Sequence, residues 1–311
     1  MRAVAVTPQA AIRIAGIRKT YGRTIAVDDV SFDVEPGEIF GLIGPNGAGK
    51  TTTLECAEGL RTPDRGTIAV LGLDPVRDRR RLQDRIGVQL QQAQLQKRIK
   101  VGEAIRFWAT LYRTSVDPDT LIDQLGLREK QDAWFMTLSG GQKQRLFIAL
   151  ALVHDPELVF LDELTTGLDP QARRTIWDLV RDLRRRGKTV CLTTHLMEEA
   201  ERLCDRVAII DHGRIVDIGR PPALIRKHCP ERTVLVTLDE ARAAEWFAAI
   251  PQVESVVPDG ATYALRGRAD DLVSAVIRCL ADRHAHVLDF RTDVPTLEDV
   301  FLRLTGHAIR D

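Results

Sequence analysis

Residues 44–51 read GPNGAGKT, and this stretch limits the fold more than any other in the chain. It fits the pattern GxxxxGK[ST]. The apolar run IFGLIG (39–44) precedes it and the helix-like KTTTLECAEGL (50–60) follows. A glycine-rich turn from a buried strand into a helix points backbone N–H groups, and the positive helix end, at a bound anion. Gly44, Pro45, Asn46, Gly47, Ala48 and Gly49 form the loop, with Lys50, Thr51 and Thr52 opening the helix. A lysine at this place reaches β- and γ-phosphates, and the Thr51 hydroxyl suits Mg²⁺. The motif asks for an α/β sheet whose strand delivers the loop. Residues 157–218 supply the alternation: LVFLD, ARRTIWDLVRDLRRRG, TVCLTTH, MEEAERLC, RVAIID and RIVDIG read as strands and helices in a largely parallel sheet.

The stretch LVFLDELTTGLDP (158–170) breaks from an apolar run into two adjacent carboxylates. Successive strand residues face opposite ways. At the strand end the chain turns, so both Asp162 and Glu163 can line one cleft. Asp162 is then the candidate to hold Mg²⁺ through water. Glu163 is the candidate base for an attacking water.

LSGGQ (138–142) is a second turn into a helix that favours anions. Together these motifs resemble the nucleotide-binding subunits of ATP-binding cassette (ABC) transporters over roughly residues 12–220. The resemblance implies a P-loop NTPase cassette with a mixed-sheet core and a helical subdomain near 92–155. It implies ATP and Mg²⁺ as ligands, and ATP hydrolysis coupled to transport. Residue by residue, Tyr21 in KTYG matches the aromatic residue that stacks on adenine. Gln91 in GVQLQQ matches the glutamine that senses Mg²⁺ and touches the membrane subunits. Ser139, Gly140, Gly141 and Gln142 match the signature that meets the γ-phosphate held by a partner chain. Asp169 in GLDP matches the loop crossing the dimer interface. His195, ending CLTTH, matches the histidine at the γ-phosphate. The implied assembly is a head-to-tail homodimer with separately encoded transmembrane permease subunits, peripheral on the inner face of the cell membrane. Two positions depart from the family pattern. Leu164 stands where proline commonly follows the glutamate, and Gln92 where an acidic residue is frequent. Neither removes a reacting group.

Residues 1–11 read as a tail. The composition shifts at GRPPALIRKHCPER (219–232), giving a boundary with a linker over 221–230. Residues 231–311 then carry a small α+β pattern. Its helix at 270–280 is expected to pack Leu272, Val273, Val276, Ile277 and Leu280 on a sheet. TLEDVFLRLTG (296–306) resembles the closing helix of a C-terminal domain in type-2, drug-resistance exporters, which implies export.

Lys+Arg and Asp+Glu both number 44, so no bulk positive charge draws nucleic acid. The arginine runs RDRRR (77–81) and RRR (184–186) read as solvated helix faces. No apolar run approaches the roughly 20 residues of a spanning helix. Five scattered cysteines without CxxC spacing read as reduced, as in the cytosol. A soluble cassette acting on ribosomes or DNA is the alternative. One cassette, no heptad insertion and neutral charge weigh against it. A cassette that has lost catalysis is disfavoured because every catalytic position is filled.

Overall fold

The computed structural model describes residues 10–89, 94–239, 244–268 and 271–306. The chain divides into two compact units, one running to Pro221 and the other starting at Pro222. In order, the first unit forms β1 (Ile12–Tyr21), β2 (Thr24–Val34), β3 (Ile39–Ile43), α1 (Lys50–Ala57), β4 (Arg65–Val70), α2 (Arg79–Gln83), β5 (Ile86–Gln89), α3 (Val101–Ala109) and α4 (Pro118–Gln124). It continues with α5 (Gly140–Leu152), β6 (Leu158–Asp162), α6 (Pro170–Arg185), β7 (Thr189–Thr194), α7 (Met197–Leu203), β8 (Arg206–Asp211) and β9 (Arg214–Gly219).

Six strands make the central sheet in the order β5-β6-β7-β3-β8-β9. All its pairs are parallel except β8 with β9. Every residue of β3, β6 and β7 is buried, which is why these strands read as unbroken apolar runs and not as alternation. The hairpin from β8 to β9 turns through His212 (φ 46°) and Gly213 (φ 76°), the two positive angles that match strand twist in a tight hairpin. A second sheet, β2-β1-β4, is antiparallel throughout. Helices α3, α4 and α5 occupy the stretch expected to be helical.

Where the sequence suggested a linker, Pro221–His228 forms helix α8. The second unit continues with β10 (Arg232–Leu238), α9 (Ala244–Ala248), β11 (Ser255–Asp259), β12 (Thr262–Gly267), α10 (Leu272–Asp282), β13 (Val287–Asp293) and α11 (Leu297–Thr305). The succession βαββαβ with sheet order β11-β12-β10-β13, antiparallel at every pair, is the split βαβ arrangement of ferredoxin-like domains. Leu272, Val276 and Leu280 face its core as expected, and Val273 packs against it half-buried. Ile277 does not: it is 50% exposed, and Ala275 takes a core place instead. At 100° per residue Ile277 stands a full step beyond Val276, so the buried stripe is narrower than the apolar residues suggest. Leu297, Val300 and Phe301 of α11 are fully buried.

Candidate functional site

The site lies at the carboxyl ends of the parallel strands, where open α/β sheets place their ligands. β3 ends at Ile43, paired with Thr194 of β7, and Asp162 of β6 pairs with Thr193. One register therefore sets the phosphate loop, the carboxylate pair and His195 side by side. The loop backbone explains its glycines. A Cβ on Gly44 would lie 2.1 Å from the Ile210 carbonyl oxygen, and Gly49 has φ 102° with the Ala26 carbonyl 2.3 Å from its missing Cβ. No other residue type fits there without moving the chain. Asn46 and Gly47 are exposed, whereas Ala48 is buried.

Lys50 is buried, and its Nζ donates to the carbonyls of Gly44 (2.8 Å) and Pro45 (3.0 Å). Burial lowers its pKa, against the opposing pull of Glu163 and Asp162. Thr51 Oγ1 lies 3.3 Å from Asp162 Oδ1. Two hard oxygens at this separation, beside a phosphate loop, fit Mg²⁺, which takes one or two protein oxygens and keeps its waters. Asp162 is buried; desolvation raises its pKa, and hydrogen bonds from Thr193 and Thr51 act in the other direction.

Glu163 adopts φ 48°, a left-handed turn that side-chain-bearing residues seldom take. This turn is how two successive residues come to share one cleft. Thr193 holds it. The Glu163 N–H donates to the Thr193 carbonyl (3.2 Å) and to Thr193 Oγ1 (3.1 Å), while that hydroxyl donates to Asp162 Oδ1. Thr193 thus orients both carboxylates, and the sequence reading missed it. Its only sequence signal is a hydroxyl two residues before His195. Glu163 Oε1 stands 3.6 Å from His195 Nδ1, and both side chains are largely buried.

Leu164 is 1% exposed, so its side chain packs while its two neighbours do polar work. Exchanging it for proline removes a backbone N–H and shortens a packed side chain. We expect Leu164→Pro to lose roughly 1–3 kcal/mol in thermal unfolding, with ATP turnover within a few-fold of wild type in a phosphate-release assay.

The signature lies elsewhere on the same unit. Ser139 caps α5: its Oγ accepts from the Gln142 N–H (3.3 Å), and its own N–H donates to Gln142 Oε1 (3.0 Å). Asp169 caps α6 through the N–H groups of Gln171 (3.0 Å) and Ala172 (2.9 Å). The two turns pack together, since a Cβ on Gly140 would meet Leu168 at 3.3 Å and one on Gly141 would meet Ala172 at 3.0 Å. Tyr21 ends β1 and is 41% exposed, and the Arg61 guanidinium lies 5.3 Å from its ring centroid. Thr52 is half-buried on α1. Gln91 and Gln92 fall outside the described residues. Gln89, paired with Leu161, marks where that segment leaves the sheet, beside Asp162.

A groove of about 970 Å³ opens beside Gln89. Ile86, Val88, Trp108, Tyr112, His154 and Glu58 are among its lining residues. The Tyr112 and His154 rings stack at 4.0 Å. Glu58 caps the end of α1, 4% exposed, with its pKa pushed up to about 8 by burial and then by Asp162 and Glu55. The folded chain holds this proton more tightly than the unfolded chain, whose value is 4.5. The stability it contributes is therefore full below 4.5 and lost as pH rises through about 8. Glu58→Gln removes the titration. Its melting temperature should gain on wild type between pH 5 and pH 8.5, and a constant difference in scanning calorimetry would exclude Glu58 as the source.

Comparison with known proteins places the chain. A family model described as "ABC transporter" matches residues 27–166. The "Nod factor export ATP-binding protein I" of Paraburkholderia xenovorans is 42% identical over 313 residues, covering 98% of this chain and 100% of the relative. Its namesake in Ralstonia nicotianae is 40% identical over 306 residues, covering 96% and 95%. The chain belongs to the ATP-binding subunits of ABC transporters. It is thus an ATPase of the kind whose hydrolysis powers transport. A solved ATP-binding subunit of an ABC transporter superposes with a TM-score of 0.63 at 27% identity, covering 70% of this chain and 92% of that one. A dimeric ATP-binding cassette in a post-hydrolysis state, bound to ADP and Pi, shares the fold with a TM-score of 0.61 at 24% identity, covering 67% and 98%. The alternative of a ribosome- or DNA-directed ATPase finds no support among these relatives. Among the described residues no helix is long and apolar enough to cross a membrane.

Proposed function

We propose that this ABC subunit hydrolyses Mg-ATP between two copies of itself and drives export through separate permease subunits. The observation that carries this reading is the junction of Thr51 with Asp162 and of Glu163 with His195 on adjoining strand ends. Tyr21 stacks on adenine, and N–H groups within residues 46–52 cradle the phosphates. Lys50 turns from its loop carbonyls to the β- and γ-phosphate oxygens. Thr51, Asp162 through water and, as the resemblance implies, Gln91 would hold Mg²⁺, which would supply charge neutralisation at the phosphates. Glu163 accepts a proton from water as the water oxygen bonds to the γ-phosphorus. The bond from that phosphorus to the β-bridging oxygen breaks, and ADP leaves with the electron pair. His195 donates toward the γ-phosphate and fixes the water.

The signature packs on Leu168 and Ala172 of its own chain. Its capped helix start therefore suits a γ-phosphate presented by a second chain. Head-to-tail pairing, with Asp169 at the interface, supplies two such sites, and their closure excludes water. The groove between β5 and the helical segment suits a permease segment, because Gln89 at the end of β5 and Glu58 at the end of α1 line it. Nucleotide state then reaches the permease over a short path. Docking there holds the chain at the inner membrane face. Export follows the names of the relatives and the C-terminal helix. A pull-down in mild detergent, with mass spectrometry of co-purifying membrane proteins, tests the assembly. Recovery of ribosomal proteins without a permease overturns it.

A further inference from the structure

Glu199 is a buried carboxylate that none of these steps uses. It lies on α7, four residues after His195, and is 1% exposed. Its Oε1 accepts from Thr165 Oγ1 at 2.7 Å and from Trp177 Nε1 at 2.9 Å. Both donors are themselves buried. Thr165 stands two residues past Glu163 in the turn leading to Asp169, and Trp177 lies two turns into the helix that Asp169 caps. One oxygen therefore joins three segments: the turn after the carboxylate pair, the helix behind Asp169, and the helix behind His195. The last segment is tied back as well, since Leu196 N–H donates to Thr194 Oγ1 at 2.9 Å.

We propose that Glu199 is a positioning residue that locks the Glu163–Asp169 turn and His195 into one rigid body. This rests on the reading of Glu163, Asp169 and His195 given above. A buried carboxylate is costly unless hydrogen-bonded, and an apolar residue would fill the same space more cheaply. The choice of an acceptor here matches two neutral donors, one from the turn itself and one from the helix that continues it. Because both bonds converge on a single oxygen, a displacement of α7 with His195 must carry the turn with it. The water-side base, the γ-phosphate histidine and the interface aspartate then keep a fixed separation as the site closes. Misplacing such groups by about 1 Å costs on the order of 100-fold in rate.

The test uses the full chain and steady-state ATP hydrolysis. Glu199→Ala is expected to lower kcat about 10-fold or more while KM for ATP stays within about 3-fold, the pattern of a lost transition-state interaction. Glu199→Gln keeps an acceptor oxygen and should recover kcat to within about 3-fold of wild type. Should Glu199→Ala fail to fold, Thr165→Val with Trp177→Phe removes both donors, keeps the packing, and should show the same fall in kcat. Wild-type kcat in the folded variants overturns the proposal. So does an equal loss in Glu199→Gln and Glu199→Ala, which would mark the charge and not the acceptor geometry. If Glu163→Gln itself hydrolyses ATP normally, the catalytic assignment fails instead. If Glu163→Gln is inactive and Glu199→Ala is not, only the positioning role falls.

Discussion

Glu163→Gln should bind ATP, hydrolyse it at least about 100-fold more slowly than wild type, and accumulate as an ATP-loaded dimer. The substitution keeps the shape of the side chain and its contact with His195, whose Nδ1 lies 3.6 Å from Glu163 Oε1. It removes the capacity to take a proton. The left-handed backbone at φ 48° is held by main-chain donation to Thr193, so the turn should survive the exchange. Single-turnover assays measure the rate, and light scattering with and without ATP measures the dimer. Wild-type turnover would remove Glu163 from the role of base. Normal ATP loading without dimerisation would remove the shared site instead.

Thr193→Val is the second large effect, and sequence reading alone gives no reason to expect it. Thr193 is fully buried, and valine has nearly its shape. Its hydroxyl donates to Asp162 and accepts from the Glu163 N–H. Valine removes both bonds, leaving the Glu163 N–H with the Thr193 carbonyl alone and Asp162 Oδ1 with Thr51 alone, and the loss of a buried hydrogen bond to a charged group costs about 1–3 kcal/mol. The consequence for pH follows from the sign. Burial already raises the Asp162 pKa, and the Thr193 bond acts to lower it. Without that bond the pKa rises further, so a smaller fraction is ionised at a given pH. Asp162 must be ionised to serve on the metal side. The acid limb of the pH–rate profile should therefore move to higher pH, and a higher Mg²⁺ concentration should be needed for half-maximal turnover. An unshifted acid limb would show that Thr193 does not tune Asp162.

Most of the site was legible because its demands are local. A phosphate loop needs glycine at Gly44 and Gly49, where a Cβ would strike the carbonyls of Ile210 and Ala26. Ser139 and Asp169 are ordinary helix caps whose role is written within three residues. The central strands were legible because full burial makes them continuous apolar runs. β4 was not. It has only one fully buried residue in six, and its pattern RGTIAV carries glycine and arginine at the start. Its strand character comes from pairing with β1. The five-residue helix α2 is equally faint, with one buried leucine among arginines. Ile277 misled in the opposite direction, since apolar identity does not fix which side of a helix faces the sheet.

By itself the sequence set the candidate chemistry: which residues are suited to phosphate, which carboxylates stand at a strand end, which turns favour an anion. Those choices are made by neighbours in the chain, through backbone angles, caps and side-chain type. Only the tertiary structure decided how they are held in register. Thr193 reaches Asp162 because β6 and β7 pair in parallel, 31 residues apart in sequence. Glu199 reaches Thr165 and Trp177 because α6 and α7 pack together. Hydrogen bonds between distant segments depend on strand order and helix packing, and these follow from burial of the whole core and not from any local pattern.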